Sequence, residues 1–175
     1  MENEQLLEAY QAGDELAFEQ LYRELFPSIY SFIFRYTLDE QLSADLAQDT
    51  LIQLEQVLEQ FDSSKGTVKA FSFQIAYRMM LNKLNRQKKW RSLLPFLVPK
   101  EQFKHTSDDK MTIQHAIQKL PDKQRAVVLL AYYEDLPQAQ IADILQIKPG
   151  TVKSRLHTAM STLRVLLKEE FQIEK

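Results

Sequence analysis

The chain has 175 residues, room for one domain or two small ones, and its 45% hydrophobic and 26% charged content is that of a folded, soluble protein. Cysteine is absent and the three histidines (His105, His115, His157) are scattered, which excludes disulfides, thiolate metal sites and a cysteine nucleophile and offers no helical pair of metal ligands. Only 3 glycines and 6 prolines argue against an all-β chain; the longest strictly apolar run, Ala126–Tyr133, is too short for a membrane span; and no basic-then-apolar leader opens the sequence, so the chain reads as cytosolic.

The net charge of −2 conceals a segregation. Residues 1–61 hold 13 Asp/Glu against 2 Arg, residues 62–104 hold 10 Lys/Arg against 2 acidic residues, and the remainder is nearly balanced. An acidic block followed directly by a basic one suggests two faces for two kinds of partner, the basic one suited to nucleic acid; a solvated basic face is the plainer alternative.

Taken in chain order, nearly every segment has helical periodicity. Leu6, Leu7 and Tyr10 open the pattern, followed by Phe18, Leu21, Tyr22, Leu25, Ile29, Phe32, Ile33 and Tyr36. Thr37 and Glu40 have capping-box spacing and predict that a new helix starts at Thr37. On it, Leu46, Thr50, Leu54, Val57, Leu58 and Phe61 form a core stripe, while Asp45, Gln48, Asp49 and Ile52 share the opposite face. Carboxylates beside an exposed apolar residue suit a basic, partly apolar partner, although a merely solvated acidic face has the same composition. Asp62–Thr67 reads as a loop ending in a plausible N-cap, Thr67.

The next helix carries the basic block: Lys65 and Lys69 near its start, then Arg78, Lys83, Arg86, Lys88, Lys89 and Arg91, interleaved with Phe71, Phe73, Tyr77 and Trp90. Cations that track a backbone, with aromatic rings available for stacking, are what single-stranded DNA binding requires; Phe71 and Phe73 are expected in the core instead. Pro95 and Pro99 then interrupt the periodicity, and helix is predicted to resume near Ser107 or Asp108. Pro121 and Pro137 fit the first turns of two further helices. The fold class is therefore all-α, two small helical domains over 1–90 and 112–175 joined by a linker over 91–111.

Residues 138–157 have the pattern of a helix-turn-helix. Ala142 is the small residue where the second helix packs close, and Val152 is the branched apolar residue ten positions on. Ile141, Leu145, Ile147 and Leu156 complete the apolar spacing, and Pro149 starts the second helix. Gln146 occupies the turn position where glycine's positive φ is preferred. The outward face of the second helix presents Thr151, Lys153, Ser154, Arg155, His157 and Thr158, hydroxyls and cations suited to phosphates and to base edges in a major groove.

Leu120-Pro121-Asp122-Lys123-Gln124-Arg125 and Gly150-Thr151-Val152-Lys153-Ser154-Arg155-Leu156-His157 resemble region four of the bacterial extracytoplasmic-function (ECF) sigma factors. Asp45-Leu46-Ala47-Gln48-Asp49-Thr50 is similar to the region-two helix of the same family that docks on core RNA polymerase, and Phe61-Asp62 through Gly66, then Phe71 and Ile75-Ala76, are similar to its promoter-melting segment. The resemblance spans about residues 15–90 and 112–167. It implies an alternative sigma factor, without catalytic chemistry, cofactor or small-molecule substrate, whose partners are core polymerase, promoter DNA in duplex and single-stranded form, and an anti-sigma factor.

By the same resemblance, Asp45, Gln48, Asp49 and Ile52 contact core polymerase. The loop Asp62–Thr67 and Lys65, Lys69, Arg78, Lys83 and Arg86 hold the melted minus-ten element. Thr151, Lys153, Ser154, Arg155, His157 and Thr158 meet the minus-thirty-five element. Three positions depart from the family pattern, with Glu55 and Phe71 where tryptophan is frequent and Arg78 where asparagine is, which implies an altered base preference at the minus-ten element; Lys148 replaces a usual capping serine. Two other classes compete with this assignment: a helix-turn-helix repressor that binds a two-fold operator without polymerase, and a protein-interaction module whose Lys153/Arg155 face tolerates charge reversal.

Overall fold

The computed structural model describes residues 3–93 and 113–171, with side chains to residue 168. The helix start expected near Ser107 or Asp108, and the two linker prolines, lie outside the described residues.

The first helix, α1 (Asn3–Gln11), buries Leu6 and Leu7 and is tied to the end of α3 by Gln11, whose Nε2 donates to the carbonyls of Leu58 (3.1 Å) and Phe61 (3.0 Å). Asp14 caps α2 (Glu15–Thr37), accepting from the Leu16 amide at 3.0 Å. The predicted periodicity holds: Leu21, Leu25, Ile29, Phe32, Ile33 and Tyr36 are buried, and Phe18 and Tyr22 are half-buried.

The boundary between α2 and α3 (Glu40–Leu58) differs from the expected capping box. Thr37 is the last residue of α2, where its hydroxyl donates to the Ile33 carbonyl at 2.9 Å. Leu38 reverses the chain in the left-handed region at φ 57°, and Asp39 caps α3 by accepting from the Leu42 amide at 2.9 Å. A carboxylate two residues after the expected hydroxyl is equally good as a cap and leaves the threonine to close the preceding turn.

Because α3 packs against both α2 and α4, it is buried on two sides; Ala47 and Leu51 join Leu46, Thr50, Leu54 and Leu58 in the core, while Val57, expected there, is 37% exposed.

A single 3₁₀ turn, Ser63–Lys65, interrupts the following loop and is capped by Asp62. Hydrogen bonds from the Ser64 hydroxyl and amide, together with Lys65, hold the Asp62 carboxyl below its ordinary pKa. Thr67 caps α4 (Val68–Leu93), accepting from the Ala70 amide at 3.1 Å as anticipated, and α4 runs on past residue 91. Phe73 is fully buried, edge-on to Phe32 at 5.5 Å; Phe71 is half-buried against Phe61 at 4.9 Å.

The C-terminal helices are α5 (Ile113–Gln118), α6 (Asp122–Tyr132), α7 (Gln138–Leu145) and α8 (Pro149–Phe171). Pro121 and Pro137 sit one residue earlier than expected, at the caps of α6 and α7, while Pro149 does open α8. Arg125 organises this end of the molecule. Its guanidinium donates to the carbonyls of Gln118 (2.7 Å), Leu120 (3.1 Å) and Ile117 (3.4 Å), satisfying the end of the short α5.

The same guanidinium reaches the Tyr36 carbonyl of α2 at 3.2 Å, so it joins the first four helices to the last four. Gln114 and Gln118 donate to the Arg35 carbonyl, and the Arg35 guanidinium lies 4.1 Å over the Tyr133 ring. Along α4, Lys69 donates to the Glu134 carbonyl at 2.8 Å and Gln74 to the Asp143 carbonyl at 3.2 Å.

Candidate nucleic-acid interface

The helix-turn-helix forms as the apolar spacing requires. Ala142 and Ile141 of α7 and Val152 of α8 are buried together, with Leu145 at the rim of that core and Ile147 and Leu156 half-buried beside it. Gln146 turns the chain at φ 53°, ψ 49°, so a side chain does occupy the left-handed position where glycine is preferred. Its Nε2 donates to the Asp143 carbonyl at 2.6 Å, which offsets part of the cost.

Burying Val152 fixes the rotation of α8 about its axis and therefore which residues face outward. Lys153, Ser154, His157 and Thr158 are exposed, and Thr151 and Arg155 are half-buried at the edges of that face. The Ser154 and Thr158 hydroxyls donate to carbonyls one turn back, leaving their oxygen lone pairs outward as acceptors. Arg155 lies close enough to Tyr77 of α4 to oppose the upward push that burial gives that phenol's pKa.

The five cations expected at the minus-ten element fall in different places. Lys65 is 80% exposed in the loop, 3.3 Å from Asp62. Lys69 is held between the two halves of the molecule by Glu134. Arg78 is exposed on α4, and Asn82, Asn85 and Lys89 follow it at helical spacing, all exposed, to make one polar stripe. Sequence reading passed over the two asparagines because their signal is only that spacing.

Lys83 and Arg86 point elsewhere. With Met79, Asn82 and Gln87 they line one side of a groove of ≈ 510 Å³ whose other side is Asp39, Gln41, Asp45 and Asp49, floored by Leu42 and Leu46. Asp45, Gln48, Asp49 and Ile52 are all exposed on α3 as the sequence indicated, Ile52 at 47%. Asp45 accepts from the Gln41 amide at 2.9 Å. Asp39, Gln41, Met79 and Gln87 were not singled out in the sequence, because only the packing of α3 on α4 brings them to Asp45 and Asp49.

The two halves also match known families. The sigma-70 region 2 family model matches residues 21–90, and the sigma-70 region 4 model matches residues 110–163. A region 2 followed by a region 4 defines a promoter-recognition subunit of the sigma-70 type. The ECF RNA polymerase sigma factor SigL of Mycobacterium tuberculosis is 29% identical over 165 residues, covering 90% of this chain and 93% of its own. The ECF sigma factor SigW of Bacillus subtilis is 26% identical over 173 residues, covering 90% and 92%.

The sigma factor RpoE of Bartonella quintana, solved in complex with the anti-sigma factor NepR, has the same fold, with a TM-score of 0.72 over 90% of this chain and 98% of that one, at 20% identity. The chain belongs to the ECF sigma factors, alternative sigma factors that direct core RNA polymerase to particular promoters and initiate transcription there.

Proposed function

We propose the following division of labour within that activity. Residues 1–90 form the domain that binds core polymerase and opens the minus-ten element, residues 91–111 link, and residues 112–175 read the minus-thirty-five element. On α3, Asp45, Gln48, Asp49 and Ile52 dock on the polymerase. The loop with Lys65, the cation Lys69 and the Arg78 stripe of α4 receive the displaced strand, whose backbone the cations neutralise. On α8, Lys153, Ser154, His157 and Thr158 meet base edges of duplex DNA, and Thr151 and Arg155 flank them on phosphates.

The observation that carries this reading is the outward face of α8: two cationic or protonatable groups and two hydroxyls, all exposed, behind a helix-turn-helix locked by the buried Val152. The chain itself performs no bond chemistry, which belongs to the core enzyme. Its place of work is the cytoplasm, on the nucleoid when in holoenzyme; among the described residues no helix is long and apolar enough to cross a membrane. An anti-sigma factor, of the kind bound to the Bartonella protein, holds it inactive.

Run-off transcription tests the assignment, with core polymerase, the purified chain and fragmented genomic DNA. New transcripts sharing two spaced upstream elements are expected, and charge reversal at Lys153 and Arg155 is expected to remove them. Unchanged transcripts from the reversed variant would refute the role given to α8.

A further inference from the structure

The α3–α4 groove carries charge of both signs. Asp39, Asp45 and Asp49 line it from one side and Lys83 and Arg86 from the other. Among the described residues, neither cation forms an ion pair, and Asp45 is engaged only by the neutral Gln41 amide. Opposite charges that line one groove and do not close on each other leave both sets available to a third party. Leu42, Leu46 and Met79 give that party an apolar floor.

The signs decide what the third party is. A DNA strand is uniformly anionic, and to lie along Lys83 and Arg86 in this groove it must pass against three carboxylates on the facing side. A protein helix bearing cations along one edge and carboxylates along the other meets no such opposition, and helix-in-groove docking uses an apolar floor of this kind.

Asp45 and Asp49 belong at once to this groove and to the exposed α3 face proposed above for core polymerase, so the two surfaces are continuous. We infer that Lys83 and Arg86 are polymerase-docking residues rather than minus-ten contacts, and that the groove seats a mixed-charge helical segment of core RNA polymerase. This inference rests on the assignment of Asp45 and Asp49 to polymerase binding. It extends that surface onto α4 and, beyond Lys69 at the start of that helix, confines DNA there to the neighbouring Arg78–Asn82–Asn85–Lys89 stripe, with Asn82 at the border between the two.

Two double variants of the full chain separate the possibilities: Lys83→Glu with Arg86→Glu, and Asp45→Lys with Asp49→Lys. All four side chains are exposed, and circular dichroism checks that each variant folds. Affinity for core polymerase is measured by fluorescence anisotropy of a labelled chain. Open-complex formation is then measured by permanganate reactivity, with each variant at concentrations that saturate core.

The Lys83/Arg86 variant is expected to bind core at least tenfold more weakly, yet to open promoters normally once saturated. Core affinity within twofold of the unmodified chain, with opening lost at saturation, would return both cations to DNA and overturn the inference. The Asp45/Asp49 variant reports the underlying assignment independently. If it loses core binding while the Lys83/Arg86 variant does not, the inference alone fails; if neither loses it, the α3 assignment fails as well. Should the charge-reversed variant unfold, Lys83→Gln with Arg86→Gln carries the same test, with a threefold loss expected and no loss overturning the inference.

Discussion

Replacing Arg125 by methionine removes the group that closes the end of α5 and reaches across to α2. The arginine side chain is 14% exposed, and four backbone carbonyls depend on it, the two nearest at 2.7 and 3.1 Å. Methionine retains much of the stem's packing but satisfies none of the carbonyls. Two well-formed charge-assisted bonds at about 1.5 kcal/mol each set the expected loss at about 3 kcal/mol.

The ion pair with Asp122, at 3.7 Å and with a carboxylate 54% exposed, adds little to that figure. For a chain of this size the loss corresponds to a fall in Tm of about 6–12 °C. Urea unfolding followed by circular dichroism checks it. Arg125→Lys is expected to recover less than half of the loss, since an ammonium cannot address carbonyls of α5 and α2 together. A loss under about 1 kcal/mol with an unchanged m-value would mean that water replaces the guanidinium without cost, and the account of Arg125 as the cap of α5 would fall.

Glu134 is buried at 6% exposure, and burial raises its pKa more than Lys69 and Arg35 lower it. The folded chain therefore holds this proton more tightly than the unfolded one, so stability declines as pH rises from the ordinary carboxylate range through the raised value. Glu134→Gln is expected to remove that decline, which urea midpoints across the acid-to-neutral range measure; a variant with the parent's pH profile refutes it. Gln146→Gly relieves the left-handed turn at the cost of the 2.6 Å bond to Asp143, for an expected gain of about 0.5 kcal/mol, again read from urea midpoints. Lys153→Ala is expected to weaken discrimination at the minus-thirty-five element by about 1–3 kcal/mol, measured as holoenzyme affinity for promoters with single base changes; an unchanged profile shows that Lys153 touches no base. Asp45→Lys with Asp49→Lys is expected to abolish holoenzyme formation with the fold intact, and gel filtration with core polymerase checks it.

The all-helical architecture and the helix-turn-helix were legible because both rest on periodicity. The spacing of Leu21, Leu25, Ile29 and Ile33, and the pair Ala142 and Val152, each identify a buried face without knowledge of what covers it. The α3 face was legible for the same reason, from Asp45, Gln48, Asp49 and Ile52. What escaped was set by contacts that have no period.

Arg125 was visible only as part of a motif, because its partners are main-chain carbonyls and carbonyls leave no mark on a sequence. The separation of Lys83 and Arg86 from Arg78 escaped because a charge count treats a helix as one object. On α4, a rotation of about a quarter-turn moves a cation from the open stripe to the groove facing α3. Asp39 displaced Thr37 as the cap because both side chains satisfy the local rule, and only the path taken through Leu38 chooses between them.

Lys69 and Arg155 connect this packing to promoter recognition. Each is assigned a DNA contact, and each is engaged where the two halves meet: Lys69 with Glu134, and Arg155 beside Tyr77. Beside an apolar core that runs through both halves, polar contacts also join them, from carbonyl bonds of Arg125, Gln114, Gln118, Lys69 and Gln74 to the stacking of Arg35 on Tyr133. A phosphate offers Lys69 a full negative charge at hydrogen-bond distance, where Glu134 offers its carbonyl at 2.8 Å and its carboxylate at 4.0 Å, and it offers Arg155 a bidentate partner where Tyr77 offers none. The DNA contacts proposed for these two cations therefore compete with the contacts each makes where the halves meet.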